Sequence, residues 1–176
     1  MNNKVFLVDP DVIYKNQFFT MVTQYENSGD TDYYELYKEA MDGFEQYVDN
    51  LHNYANGINI QEDRVPYNTY WLSNAERQIL GVIRIRTSID NDYVEKYAGH
   101  IGYDISPLHR QRGYGKEILR LGLDKARMLR QQKVLITCDC DNEGSIKIIE
   151  SNGGVFESEI YKESSKKILR RYWVNL

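Results

Sequence analysis

The sequence predicts a mixed α/β fold, with parallel and antiparallel strands in one sheet and helices on both of its faces. Three observations predict it. Two amphipathic helical segments precede an antiparallel run of short strands. A strand–helix–strand crossover follows, and its second strand, Val134–Cys138, is a continuous apolar run of the kind covered on both faces. The chain then closes on a hairpin. The predicted order is β-α-α-β-β-β-α-β-α-β-β, and 176 residues suit one domain spanning 1–176.

Lys4–Val8 is a short apolar strand. Asp9-Pro10-Asp11 reads as a helix start, with a carboxylate cap and a proline in the first turn. Tyr14, Phe18, Met21, Val22 and Tyr25 follow at helical spacing until Ser28-Gly29-Asp30 stops the helix. A second helix is expected from about Thr31 to Tyr54, with Tyr37, Ala40, Met41, Phe44, Val48 and Leu51 as its apolar stripe. Glu35, Glu39, Asp42 and Asp49 lie on another face, read as solvated although it could attract an amine. Asn68–Ser73 and Gln78–Arg86 are strands joined by a polar turn. In the second of them Gly81, Ile83 and Ile85 share one face, and Val82, Arg84 and Arg86 the other. Arginines on a sheet face belong by default to its wet side; the alternative sets Arg84 or Arg86 beside a substrate. Gly99–Ile105 is a further strand. Gly113–Gln131 is a helix with Ile118, Leu119, Gly122, Leu123, Ala126 and Leu129 inward, and Asn142–Asn152 is a shorter one. Val155–Tyr161 and Lys166–Val174 form the hairpin.

Composition narrows the function. A net charge of -4 argues against nucleic acid as the main partner, because phosphate neutralisation needs a basic surface. No apolar run approaches a membrane span, and the N-terminus lacks the long apolar stretch of a leader, so a cytoplasmic protein with no membrane partner is expected. Cys138 and Cys140 are two apart in a strand and point the same way without bridging. His52, His100 and His109 show no ligand spacing, so no metal is expected.

The stretch Ile101–Glu117 carries the chemistry. It runs strand, turn, two glycines two apart, then helix. The free N–H groups and positive dipole end of such a helix suit a phosphate, and glycines let a ligand approach the backbone. Arg110, Arg112 and Lys116 oppose the helix dipole, which makes sense if an anion sits among them. A Walker loop is excluded because Glu117 follows Gly115-Lys116, and a dinucleotide loop because Ile118 stands where a third glycine is needed.

At Arg110-Gln111-Arg112-Gly113-Tyr114-Gly115 the chain resembles the GNAT superfamily of N-acetyltransferases, and Asn142, Ser145 and Gly153 resemble that family's second block. His100-Ile101-Gly102-Tyr103 and Thr137–Asn142 look most like a branch of uncharacterised acetyltransferases. The resemblance implies a GNAT-like acyl-CoA N-acyltransferase fold with acetyl-CoA as co-substrate. It implies that strands four and five splay to admit the pantetheine arm. Backbone groups of Tyr103, Asp104 and Ile105 would then pair with its amides, and a bulge in strand four would polarise the thioester carbonyl. Gln111, Arg112, Gly113, Tyr114, Gly115 and Lys116 would hold the pyrophosphate, with Arg110 beside them. Asn142 would bond the pantetheine, and Ser145 would lie near the thiol or phosphate arm.

The sequence departs from the family where a tyrosine general acid is usual, because Ile149 stands there. Tyr103, Tyr114 and Tyr161 are the substitutes, and no single one is expected to be essential. For a base, Gly99 and Thr137 occupy the family's positions, leaving His100, Asp104 and Asp139 nearby. The expected activity is acetyl transfer to a primary amine of a small molecule or peptide by direct attack; the alternative is a non-catalytic CoA-binding regulatory or interaction module. Either reading leaves room for a homodimer.

Overall fold

A computed structural model describes residues 4–60 and 64–176; the leader reading at residues 1–3 lies outside them. The strands are β1 (Val5–Val8), β2 (Tyr67–Asn74), β3 (Ile79–Arg86), β4 (Ile101–Ile105), β5 (Lys133–Asp139), β6 (Val155–Lys162) and β7 (Lys167–Asn175). The helices are α1 (Lys15–Ser28), α2 (Thr31–Tyr37), α3 (Glu39–Asp42), α4 (Phe44–Ala55), α5 (Tyr114–Met128) and α6 (Glu143–Ser151). The sheet order is β1-β2-β3-β4-β5-β7-β6, antiparallel throughout except between β4 and β5. The predicted mixed fold is present.

Local chemistry sets the element ends. The Asp11 carboxylate accepts from the Ile13 N–H at 2.9 Å and opens the first turn. Gly29 closes α1 in the left-handed conformation (φ 72°), which a Cβ would disfavour. The helix expected over Thr31–Tyr54 is instead three helices, broken at Lys38 and at Gly43. Gly43 is extended and opens α4, consistent with the low helix propensity of glycine. Strand β4 begins at Ile101 rather than Gly99. A π-helical segment, Val94–Ala98, leads into Gly99, whose φ of 64° turns the chain into the strand.

The alternation along β3 separates two cores. Ile83 and Ile85, with Ile101 of β4, pack against Ile118, Leu119 and Leu123 of α5 and Ile149 of α6. On the other face Trp71 and Val82 pack against Phe18, Met21, Val22 and Tyr25 of α1 and Phe44, Val48 and Leu51 of α4. Arg84 and Arg86 share this second face. It is not a wet side, because the N-terminal helices cover it; the Arg84 side chain keeps 18% of its surface exposed. Glu35, Glu39, Asp42 and Asp49 are solvated. Among the described residues no helix is long and apolar enough to cross a membrane.

Gly122 lets α5 approach the sheet, since a Cβ there would collide with Ile83 Cδ1 in the core. Gly122→Val is therefore expected to cost about 1–3 kcal/mol of stability by overpacking. Gly122→Ala should lose less, because alanine gains about 1 kcal/mol of helix propensity. Chemical denaturation measures both; unchanged midpoints would contradict this packing.

Candidate active site

β4 and β5 are registered at a single pair, Ile101 with Ile136, and then diverge. Main-chain groups alternate in direction along a strand. Ile101 faces β5, so the main-chain groups of Tyr103 and Ile105 face the same way, where β5 is no longer paired. The Ile105 carbonyl accepts from Arg110 Nε at 2.9 Å. Asp104 alternates towards β3, opposite Val82, between the His100 and Ser106 backbone hydrogen bonds to that strand. The register of β3 and β4 runs without a shift, so the bulge expected in strand four is absent; the shift lies between β2 and β3 at Leu72/Ser73, where β3 carries the extra residue Leu80.

Two cavities meet at this split. One, of about 460 Å³, runs from Tyr103 and Ile105 past Arg110, Gln111 and Gly115 to Asn142 and Ser145. The other, of about 300 Å³, lies towards Arg84, Arg86, Thr137, Cys138 and Asp139. Tyr33, Tyr103, Asn142 and Ser145 line both.

The turn before α5 is built for an open helix end. Gln111 (φ 59°) and Gly113 (φ 84°) are both left-handed, and no side chain caps the helix. The first-turn N–H groups of Tyr114, Gly115 and Lys116 have no carbonyl within the helix to bond. Gly115 serves packing, because a Cβ there would meet Ile148 Cδ1 of α6. Of the three cations, Arg110 lines the larger cavity and pairs with Asp30 at 2.6 Å, whereas Arg112 and Lys116 are exposed and line neither cavity. Asn142 caps α6, accepting the Ser145 N–H at 3.0 Å.

The Asp104 carboxylate is buried, with 1% of its side chain exposed. It accepts from the Tyr25 and Tyr37 hydroxyls, each at 2.5 Å, and from Arg84 Nη1 at 3.4 Å. Arg84 also donates to the Tyr37 hydroxyl. Burial pushes the Asp104 carboxyl upward, while Arg84 and the two phenols oppose that shift. Burial raises both phenols too, so they remain donors. The network joins β4 to α1, α2 and β3. Sequence reasoning placed Tyr25 and Tyr37 only in apolar stripes and missed Tyr33; the short helical spacings carried no signal of their polar ends.

The other sequence candidates separate clearly. The Tyr103 hydroxyl is buried without a partner in hydrogen-bond geometry. Burial raises it, and the nearby Ser145 side chain partly offsets this. His100 lies outside both cavities: its Nδ1 accepts the Leu135 N–H at 2.9 Å, and its ring packs near Trp173. Burial depresses it to about 4, with Arg86 adding to the shift. Asp139 pairs with Lys167 at 2.5 Å, and the Thr137 hydroxyl donates to the Tyr97 carbonyl. Tyr114 packs near His109, Tyr161 is half exposed on β6, and neither lines a cavity. Ile149 is buried in the core and faces neither cavity.

A family model described as an acetyltransferase (GNAT) domain matches residues 20–155. The chain belongs to the GNAT acetyltransferase family. As a GNAT acetyltransferase it is an enzyme of the acyltransferase class. Solved structures share its fold at low identity. A ribosomal-protein alpha-N-acetyltransferase in complex with coenzyme A is 14% identical, with a TM-score of 0.71 over 100% of this chain and 96% of that one. A microcin self-immunity acetyltransferase in complex with acetyl-CoA and AMP is 15% identical, with a TM-score of 0.69 over 99% and 94%. A chimeric spermidine N-acetyltransferase from Vibrio cholerae is 14% identical, with a TM-score of 0.60 over 97% of this chain and 94% of that one. No curated protein matches this GNAT chain.

The depressed His100 has a stability consequence. A histidine whose folded pKa lies below its unfolded value contributes stability that is present above about 6.5 and lost as pH falls towards about 4. After discounting for partial screening by solvent, the loss is on the order of 1–2 kcal/mol. His100→Asn keeps an acceptor near Nδ1 without the titration. Its denaturation midpoint should fall less than that of wild type between pH 6.5 and 4.5; parallel pH profiles would contradict the assignment.

Proposed function

We propose that this GNAT enzyme transfers an acetyl group from acetyl-CoA to a primary amine by direct attack. The observation that carries the proposal is the conjunction, along one cavity, of unpaired β4 main chain with the uncapped N-terminus of α5. The residues present fit acetyl-CoA. Amides of the pantetheine arm match the outward N–H and carbonyl of Tyr103 and the outward N–H of Ile105 in the manner of an added strand. The pyrophosphate matches the N–H groups from Gln111 to Lys116, with Arg112 and Lys116 free to approach from the surface. Arg110 closes the cavity through Asp30, and the Asn142 amide, its oxygen engaged in the α6 cap, keeps its N–H groups for the ligand.

Bound acetyl-CoA supplies an activated thioester, whose acyl carbon accepts the amine nitrogen as the carbon–sulfur bond breaks. In a departure from the expectation that no single tyrosine is essential, this reading makes Tyr103 the proton donor. The residue lines both cavities and its hydroxyl is buried and raised; it gives a proton to the departing sulfur and regains one from the nitrogen as the amide forms. The outward Tyr103 N–H takes the carbonyl-polarising role expected of a bulge. Asp104 and His100 act as positioning residues, since their side chains are committed to Tyr25, Tyr37, Arg84 and Leu135. The amine enters as its neutral form, so kcat/KM rises with pH along one limb that survives in His100→Asn.

Acetyl-CoA at about a hundredfold its Kd should raise the Tm by roughly 5–10 °C. Gly113→Val forces a branched side chain into a left-handed position with open space around it, and should remove most of that rise. An equal rise in wild type and variant would take the α5 turn out of the site. Tyr103→Phe should lower kcat about a hundredfold in a thiol-release assay over a panel of amines, with the acetyl-CoA thermal shift intact. A change below about threefold would assign the proton to solvent instead.

A further inference from the structure

Among the described residues, those lining the smaller cavity carry more positive charge than they match. Arg84 is balanced by Asp104, and Asp139 by Lys167. Arg86 projects from the same face of β3, lines the same cavity and donates to the Gly99 carbonyl at 3.2 Å. Among the described residues it forms no ion pair with a carboxylate; burial holds its guanidinium below the usual range, and the charge of Arg84 adds to that. Two guanidinium groups, Arg84 and Arg86, therefore share the lining of a space that opens onto Tyr103, and only the first has a carboxylate partner among the described residues. Such an arrangement is unfavourable unless an anion completes it, and a guanidinium fork matches a carboxylate or phosphate. The same field repels a second ammonium on an acceptor.

We propose, building on the transferase reading, that the acceptor is an amine bearing an acidic group, a carboxylate or a phosphate, held by Arg86 with Arg84 behind it. Arg86 lies three residues along β3 from Ile83, which is registered with Tyr103. That is roughly 10 Å at the rise of a strand, a span that an arginine side chain and a short acceptor cover together. The amine then meets the thioester at the β4–β5 split while the acid stays on the side of the N-terminal helices. A polyamine would bring a cation to the place where this chain already has one in excess.

The test compares wild type, Arg86→Gln and Arg86→Lys. Acetyl transfer is measured on glycine, β-alanine, γ-aminobutyrate and aminopropylphosphonate, and on n-butylamine and putrescine. Calorimetric binding of the four acids is measured in parallel without acetyl-CoA, and melting curves check the fold of each variant. Wild type should favour at least one acid over n-butylamine by about ten- to a hundredfold in kcat/KM, with putrescine poorest. Arg86→Gln should erase that preference through KM and abolish acid binding, while Arg86→Lys keeps part of both. The carboxylate and phosphonate arms identify which acid is recognised. Equal use of acid and neutral amines by wild type, a preference for putrescine, or a preference that survives Arg86→Gln would overturn the proposal. If no amine is acetylated, acid binding lost in Arg86→Gln still supports the anion site and refutes the transferase reading; absent binding overturns the anion site as well.

Discussion

In the middle of a seven-stranded sheet, β4 and β5 pair at Ile101 and Ile136 and then separate, leaving main-chain donors and acceptors of Tyr103 and Ile105 without a strand to meet. Unpaired main chain inside a sheet is costly unless water or a ligand satisfies it. Much of the surrounding architecture follows from this separation. The neighbouring pairs are long and regular: β5 runs against β7 over seven positions, and β3 against β4 over five. Each diverging strand is therefore held firmly by its outer neighbour. β4 gains a second anchor in Asp104, whose carboxylate ties it to Tyr25 of α1, Tyr37 of α2 and Arg84 of β3. Removing one partner from so buried a network would leave charge or polar groups uncompensated. The network thus supports a strand that lacks half of its usual hydrogen bonds.

The separation also gives the two faces of the sheet different electrostatic characters. On the α5 side the cleft leads to the open N-terminus of a fifteen-residue helix, whose uncapped backbone N–H groups suit an anion. On the side of the N-terminal helices it leads to arginine side chains. Tyr103 stands at the junction with a buried hydroxyl. A site of this kind assists a reaction mainly by orientation and by excluding water, and it does so on strands rather than on loops.

The parts legible in the sequence were those with a local signature. The crossover could be read from the continuous apolar run of β5, the glycines before α5 and the periodic inward face of that helix. The Asn142 cap has an equally local logic. The Thr31–Tyr54 segment misled because Tyr37, Ala40, Phe44, Val48 and Leu51 keep helical spacing across both breaks; these five are buried, whereas Met41, expected in the same stripe, is exposed. The pattern records which side faces the core, not whether the helix is continuous. The Asp104 network was not legible, because its partners lie 79, 67 and 20 residues away in the chain. Arg84 and Arg86 were assigned to a wet face by their chemistry alone; which face the N-terminal helices cover is decided by tertiary packing. His100 offered a suitable intrinsic pKa, and burial against Leu135 removes it.

The central claim is that the β4–β5 split is a slot in which a ligand replaces a missing strand. Amide hydrogen exchange, resolved by residue and measured with and without acetyl-CoA, tests it most directly. The Tyr103 and Ile105 amides should exchange readily in the free protein and become protected on binding. Gly102 and Asp104, which face β3, should be protected already and change little. Uniform protection of all four amides without ligand, or no gain at Tyr103 and Ile105 when acetyl-CoA binds, would contradict the account.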